Sequence, residues 1–323
     1  MAEPQTLVIT GATGFIGSAV LAELARIRDE AGPGAPRLIV RAVGRRAPGA
    51  DGRARADEWF PADLSDPGSL RGSCEGADVL LHLASRIGSD EGECAAVNVG
   101  GAAALMEEAG RAGVRRIVHL STSAVYGRGP HRGIAVDGVV PAPQSPASRT
   151  RLAGEVPALA AGAVVLRPGL VIGAGDRWLV PALEQLLDAT GALWEGGRAL
   201  LSVVAVRDLA RLIGRLALGA GPAGGTVWHA SHPVPVRAAE LVGALIERGV
   251  LAPVDGDLSE AECLERMAAA GCRVGPSQFK LVAQDHWYDS APIWDAAGCA
   301  PGPGALACLE GDAGWYREYL GRG

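Results

Sequence analysis

Lysine is nearly missing from this chain. Of 30 lysines and arginines, 29 are arginine and one, Lys280, is lysine. Any mechanism that needs a lysine amine must use Lys280 or do without. Phenylalanine is scarce as well, with three in 323 residues. There is no excess of positive charge: the formal net charge is -6, which argues against a nucleic-acid footprint or an anionic membrane surface as partner. No apolar run approaches the roughly 18–20 residues that span a bilayer. The opening MAEPQTLVIT carries no basic segment or cleavable apolar stretch. The six cysteines (Cys74, Cys94, Cys263, Cys272, Cys299, Cys308) form no CxxC and have no histidine at ligand spacing, so neither a metal site nor a disulfide frame is expected. These features predict a soluble cytoplasmic protein with free thiols and with no metal, nucleic-acid or membrane partner.

What is present is ordinary globular composition, 48% hydrophobic and 20% charged. Short apolar runs alternate with helix-period segments through the first half, as in a parallel βαβ sheet. Leu7–Thr10, Leu38–Val43, Val79–Leu83, Ile117–Leu120 and Val164–Leu166 read as strands buried on both faces. A helix is expected from about Phe15 to Arg28 and another from near Pro146. After Gly169 the pattern loosens into helices near Leu179–Leu187, Val206–Leu218 and Ala238–Arg248, with short strands at Leu200–Val204 and Thr226–His229. The predicted fold is α/β: a Rossmann-type, doubly wound parallel sheet with a smaller C-terminal substrate-binding lobe. The division falls at 1–169 for the dinucleotide-binding part and 170–323 for the lobe, some of whose elements return to the sheet. Six of the seven tryptophans lie in that lobe. They either fill its core or form an aromatic wall for a flat substrate.

Between the first strand and first helix stands Thr10-Gly11-Ala12-Thr13-Gly14-Phe15-Ile16-Gly17. Gly11 permits a tight turn, Gly14 lets the backbone approach a pyrophosphate, and Gly17 lets the helix pack on the sheet. The helix N-terminus adds free N–H groups and a positive dipole end. The strand before and the amphipathic helix after supply the context a dinucleotide loop requires. At the end of the second strand an NAD enzyme usually places a carboxylate for the ribose 2′-hydroxyl. Here Gly44-Arg45-Arg46 stands instead, with no acid until Asp51. Two guanidinium groups suit a 2′-phosphate, so NADPH is the expected cofactor, with NADH as the alternative.

These residues resemble the extended short-chain dehydrogenase/reductase family of NAD-dependent epimerases, dehydratases and reductases, and the resemblance runs along nearly the whole chain. TGATGFIG is similar to the family's TGxxGxxG. The resemblance implies cofactor contacts from Thr13, Phe15 and Ile16 in the loop, from Asp63-Leu64 at the adenine, and from the Leu83-Ala84-Ser85 segment after the fourth strand. Pro168 and Leu170 are implied beside the nicotinamide. Asn98 corresponds to the family's helix asparagine, and Thr122, in STSAVYG, falls in the catalytic Ser/Thr slot with Ser123 next to it. Thr122 and Ser123 are thus the candidate carbonyl-orienting donors.

Most members use a Tyr-x-x-x-Lys pair, the tyrosine moving a proton and the lysine tuning it and holding the ribose. The matching segment, PQSPASRTRLAGE, has Ala147 in the tyrosine slot and Arg151 in the lysine slot. The pair has not moved elsewhere, because none of Tyr126, Tyr288, Tyr316 and Tyr319 is followed four residues on by lysine. Arg151 can anchor a ribose but is no neutral base. Ser85, Tyr126, His131 and His286 are further groups in possible reach, and His82 reads as packing at a strand end. The resemblance and the emptied slots together imply an NADPH-dependent ketoreductase acting on an aromatic ketone of the angucyclinone polyketide kind. A hydroxyl of the substrate beside the carbonyl would supply the proton. Two other functions fit the same residues: a non-catalytic NAD(P)-binding redox sensor or scaffold, and a sugar-nucleotide epimerase or dehydratase with a substitute acid/base. The oligomeric state is left open.

Overall fold

In the computed structural model, which describes residues 4–32, 34–46, 56–219 and 221–322, the apolar runs become one parallel sheet. Its strands are β1 (Gln5–Thr10), β2 (Leu38–Gly44), β3 (Glu58–Pro61), β4 (Val79–His82), β5 (Arg116–Leu120), β6 (Val164–Arg167) and β7 (Thr226–His229). They lie in the order β7-β6-β5-β4-β1-β2-β3 with every pairing parallel. The chain turns outward in opposite directions from β1 and β4. That reversal opens a crevice at the carboxyl ends of these two strands, where ligands bind in open α/β sheets.

The longer helices are α1 (Phe15–Glu30), α2 (Ala102–Ala112), α3 (Pro146–Ala160), α4 (Leu179–Thr190), α5 (Val206–Leu218), α6 (Ala238–Glu247), α7 (Glu260–Ala269), α8 (Pro276–Ala283) and α9 (Ala305–Tyr319). Alternation along the strands decides which helices cover which face. Leu7, Ile9, Val79 and Leu81 pack with Val20 and Leu24 of α1 and Leu212 and Ile213 of α5. Val8, Leu80 and Val165 point the other way, onto Leu105 and Ala109 of α2 and Ala158 of α3. Both faces are therefore dry, which is why these strands read as unbroken apolar runs.

Past Gly169 the residues divide between two cores. β7, α5 and Ile293–Trp294 join the sheet. Leu183 and Leu186 of α4, Leu241 and Leu245 of α6, Phe279 of α8 and Tyr316 of α9 build a second core around Trp194. The single strand expected over Leu200–Val204 is two. Leu200–Leu201 pairs with Val236–Arg237 and, through Leu201, with His286, whereas Val203–Ala205 pairs with Leu170–Ile172. Ser202 separates them, its hydroxyl accepting the Tyr288 N–H. Helix α3 begins with Ser145 and Ser148 in a reciprocal cap and Pro146 in the first turn, and continues through Pro157 to Ala160.

Candidate active site

The first turn after β1 is shaped by close backbone approaches. Gly11 has φ +73°, and a Cβ there would sit 2.7 Å from the Ala84 nitrogen. A Cβ on Gly17 would sit 2.0 Å from the Gly11 carbonyl oxygen, so α1 starts against its own loop only because both positions are glycine. The Gly14 N–H donates to the Gly11 carbonyl at 2.9 Å, and no side chain caps α1. Its first N–H groups are left for an anion.

That loop opens onto a cleft of about 1400 Å³. Gly11, Thr13, Gly14, Phe15, Ile16, Gly17, Arg45, Arg46, Asp63, Leu64, Leu83, Ala84, Ser85, Thr122, Arg151 and Leu170 all line it. Pro168 and Ser123 are buried behind that surface, and Ala147 is half-buried outside it. The residues fit a dinucleotide: bare helix N–H groups, a glycine that admits backbone contact, and two exposed guanidinium groups at the end of β2. Asp63 lies 4.0 Å from Arg45, and hydrogen bonds from the Ser65 backbone and hydroxyl hold its carboxyl below the usual range. Asp51 lies outside the described residues.

His82 takes no part in the surface. The Thr10 hydroxyl accepts the Ala84 N–H at 3.3 Å and is hydrogen-bonded to His82 Nδ1 at 2.7 Å. The ring packs 5.0 Å from His119, and burial pulls it down to about 4. It is a neutral strand-end residue. Asn98, in a π-helical turn over Ala96–Gly101, accepts from the Arg86 N–H and donates to the Arg86 carbonyl and the Thr150 hydroxyl. It fixes the loop that follows β4 along the cleft wall.

At the other candidate position, Thr122 Oγ1 accepts from the Ala124 N–H at 3.2 Å, so its proton is free to be donated. Arg151 donates through Nη2 to the carbonyls of Leu120 (3.2 Å) and Ser121 (2.5 Å), while its Nε has no partner. Desolvation lowers its guanidinium to about 10, which leaves it a cation at neutral pH. Among the described residues lining the cleft there is no tyrosine, lysine, histidine or cysteine. Asp176 does line it, and burial pushes its carboxyl up. Its oxygens already accept from the N–H groups of Trp178, Leu179 and Val180 and from the Tyr316 hydroxyl. With its acceptor positions filled, Asp176 anchors the start of α4 and has no place for a mobile proton.

The remaining candidate proton carriers sit together elsewhere. Tyr126 OH accepts from Arg167 Nη1 at 2.8 Å and meets His229 Nε2 at 2.7 Å. Arg167 in turn grips Glu155 at 3.0 and 2.6 Å, and Ser121 donates to the same carboxylate. His229 Nδ1 lies 3.1 Å from the Asp289 carbonyl, which makes Nδ1 the donor and Nε2 an acceptor for the tyrosine proton, shared with the Val136 carbonyl at 3.1 Å. Tyr288 stacks on Tyr126 at 5.4 Å, and His131 and His286 complete the group. Burial raises both phenols, with Ser123 hydrogen-bonded to Tyr288. This cluster ties β5, β6, β7 and α3 together and does not line the cleft.

Beyond Leu170 the cleft is walled by residues the sequence reading passed over. Arg177 and Trp178 stand before α4, followed by Ala182, Leu183 and Leu186, with Gln278, Leu281 and Val282 of α8 facing them. Trp59 and Ile87, both exposed, line the cleft as well. An acid shortly before an apolar helix, Asp176-Arg177-Trp178-Leu179, was the available signal for the α4 start. The tryptophans of the second half divide accordingly. Trp194 and Trp294 are core, Trp228 and Trp315 pack against it, Trp287 is half-buried over Gly133, and Trp178 lines the cleft.

A Rossmann sheet with this glycine loop and cleft defines a dinucleotide-dependent oxidoreductase site. The chain belongs to the NAD dependent epimerase/dehydratase family, whose model matches residues 7–227, and so to the NAD(P)-dependent oxidoreductases of the extended short-chain type. It is 29% identical to a 4-hydroxy-2-methyl-3-oxo-4-farnesyl-3,4-dihydroquinoline-1-oxide ketoreductase from Stigmatella aurantiaca, over 85% of this chain and 80% of that protein. It is 26% identical to a 2-alkyl-3-oxoalkanoate reductase from Stenotrophomonas maltophilia, over 91% and 94%. A dTDP-glucose 4,6-dehydratase from Streptomyces venezuelae, solved with NAD, has the same fold at a TM-score of 0.74 and 21% identity, over 98% of each chain. Among the described residues no helix is long and apolar enough to cross a membrane, and no group of histidine, cysteine and acidic residues is arranged to hold a metal.

Proposed function

We propose that this protein is an NADPH-dependent ketoreductase for an aromatic ketone of the angucyclinone polyketide kind, and that a hydroxyl beside the substrate carbonyl donates the proton. The observation that carries the reading is the cleft wall: around Thr122 the described residues supply hydrogen-bond donors and a fixed cation but no side chain suited to releasing a proton near pH 7. A cofactor in this cleft supplies hydride for the carbonyl carbon. Thr122 holds the carbonyl oxygen by its free O–H, and Arg151 places positive charge beside it. As the carbon–oxygen π bond opens, the oxygen takes the proton of the neighbouring substrate hydroxyl. The resulting phenolate recovers its proton from water. The net change is one carbonyl reduced, one reduced nicotinamide oxidised and one proton taken from solvent.

Two further observations support it. The Stigmatella relative is named a ketoreductase, for a substrate whose oxo group sits on a fused bicyclic ring, which supports carbonyl reduction on a fused-ring ketone. Arg45 and Arg46 are exposed at the cleft edge where a 2′-phosphate would be met, consistent with NADPH. The test is turnover of NADPH with 1-hydroxyanthraquinone and with its methyl ether, followed at the reduced-nicotinamide absorbance. Turnover confined to the free hydroxyl is the expected result. Equal rates with the ether, or reduction of neither, would reject the proposal.

A further inference from the structure

Trp178 is 64% exposed, yet its backbone is hydrogen-bonded on both sides, its carbonyl accepting from the Ala182 N–H at 3.1 Å. Its N–H donates to Asp176 Oδ1 at 2.8 Å, and Asp176 is held in turn by two more N–H groups and by Tyr316. The Gly173 N–H donates to that same tyrosine oxygen at 2.9 Å. An exposed indole on a hydrogen-bonded mount, lining a cleft with apolar neighbours, is suited to contact with a ligand. The same wall includes Leu281, half-buried, and the edges of the core residues Leu183, Leu186 and Val282. The charge available at this end is small. Asp176 is saturated, and the Arg177 guanidinium carbon lies 5.9 Å from the Tyr319 ring centroid. Gln278 adds one amide. A diphosphate would meet a single cation here, with aliphatic side chains around it. A flat, uncharged ring system would meet an exposed indole and the half-buried Leu281.

We propose that Trp178 is the platform on which the planar apolar body of the substrate stacks, so that this end of the cleft selects fused-ring ketones over nucleotide sugars. The proposal rests on the ketoreductase reading and adds the residue that sets ring-system size. An indole face offers a tricyclic ligand far more contact than a monocyclic one, through offset stacking and covered area.

Its test has a binding arm and a kinetic arm. Quenching of tryptophan fluorescence by 1-hydroxyanthraquinone is titrated in the wild-type protein and in Trp178→Ala and Trp178→Phe, with NADP+ present. The expected result is roughly tenfold weaker binding in the alanine variant and substantial recovery in the phenylalanine variant. In the kinetic arm, Trp178→Ala should raise KM for 1-hydroxyanthraquinone roughly tenfold more than it raises KM for 2′-hydroxyacetophenone, which has one aromatic ring. Equal effects on the two ketones, unchanged quinone binding, or Trp178-dependent binding of UDP-glucose would each overturn the assignment. The binding arm needs no turnover, so tight Trp178-dependent quinone binding without reduction would defeat the ketoreductase reading while upholding the platform.

Discussion

Protonation of His229 offers a quantitative test of the buried chain behind the cleft. Burial pulls this imidazole down to about 4, against an ordinary value of 6.5, and its contact with the Asp289 carbonyl offsets only part of that. In the unfolded chain the ring gains its proton as pH falls through about 6.5, while in the folded protein it stays neutral until about 4. The unfolded state thus binds more protons within that window. The contribution to stability is complete above the unfolded value and is lost progressively as pH falls towards 4. A separation of about 2.5 units corresponds to roughly 3 kcal/mol in full, of which about 2 kcal/mol is already gone at pH 5. The assay is urea unfolding at pH 8 and pH 5 for the wild-type protein and for His229→Gln, which cannot titrate. Other buried histidines, His82 and His119 among them, titrate in both proteins and cancel in the comparison. The wild type should lose about 2 kcal/mol more than the variant between the two pH values. Parallel losses would refute the assignment of a neutral His229 accepting from Tyr126.

Arg45→Ala should weaken NADPH binding by about 1.5–3 kcal/mol with little effect on NADH, measured by fluorescence titration of each; an unchanged preference would remove Arg45 from the 2′-phosphate. Glu155→Ala, which strands Arg167 at a nearly solvent-free site, should cost about 3–5 kcal/mol in urea unfolding. Gly17→Ala places a methyl group where the Gly11 carbonyl already stands and should abolish dinucleotide binding, read by calorimetry. Restoring the family pair with Ala147→Tyr and Arg151→Lys together should raise the rate with the methyl ether more than with the free hydroxy ketone. A large gain on the hydroxy ketone would count against the substrate relay.

The sheet was legible because its strands are dry on both faces and its turns are marked by glycine. β1, β4, β5 and β6 follow from short apolar runs, β2 from one interrupted by Arg41, β7 from the β-prone Thr226–His229, and the Phe15 helix from its spacing. β3, Glu58–Pro61, escaped notice because this edge strand is mostly exposed and carries no such run. The glycine loop and the emptied tyrosine and lysine slots were readable from local motifs. The far wall of the cleft was not. Leu186 and Val282 are 96 positions apart in the sequence, and only the packing of α4 near α8 brings them to one surface. Trp178 looked like any other tryptophan until its neighbours were known. Ser123, adjacent to Thr122, turns away because residues 123–126 form a single tight helical turn, with the Ser123 N–H bonded to the Pro168 carbonyl.

The hydroxyl of Tyr316 reaches Asp176 from 140 positions further along the chain. A ribosome releases the dinucleotide loop and most of the sheet long before α9 emerges, and long-range closures of this kind come late. The far wall of the cleft, where we propose the ketone stacks, is therefore finished last. A C-terminally clipped molecule without Tyr316 would lose one of the four hydrogen bonds that hold Asp176 at the start of α4, and with it part of that wall's support.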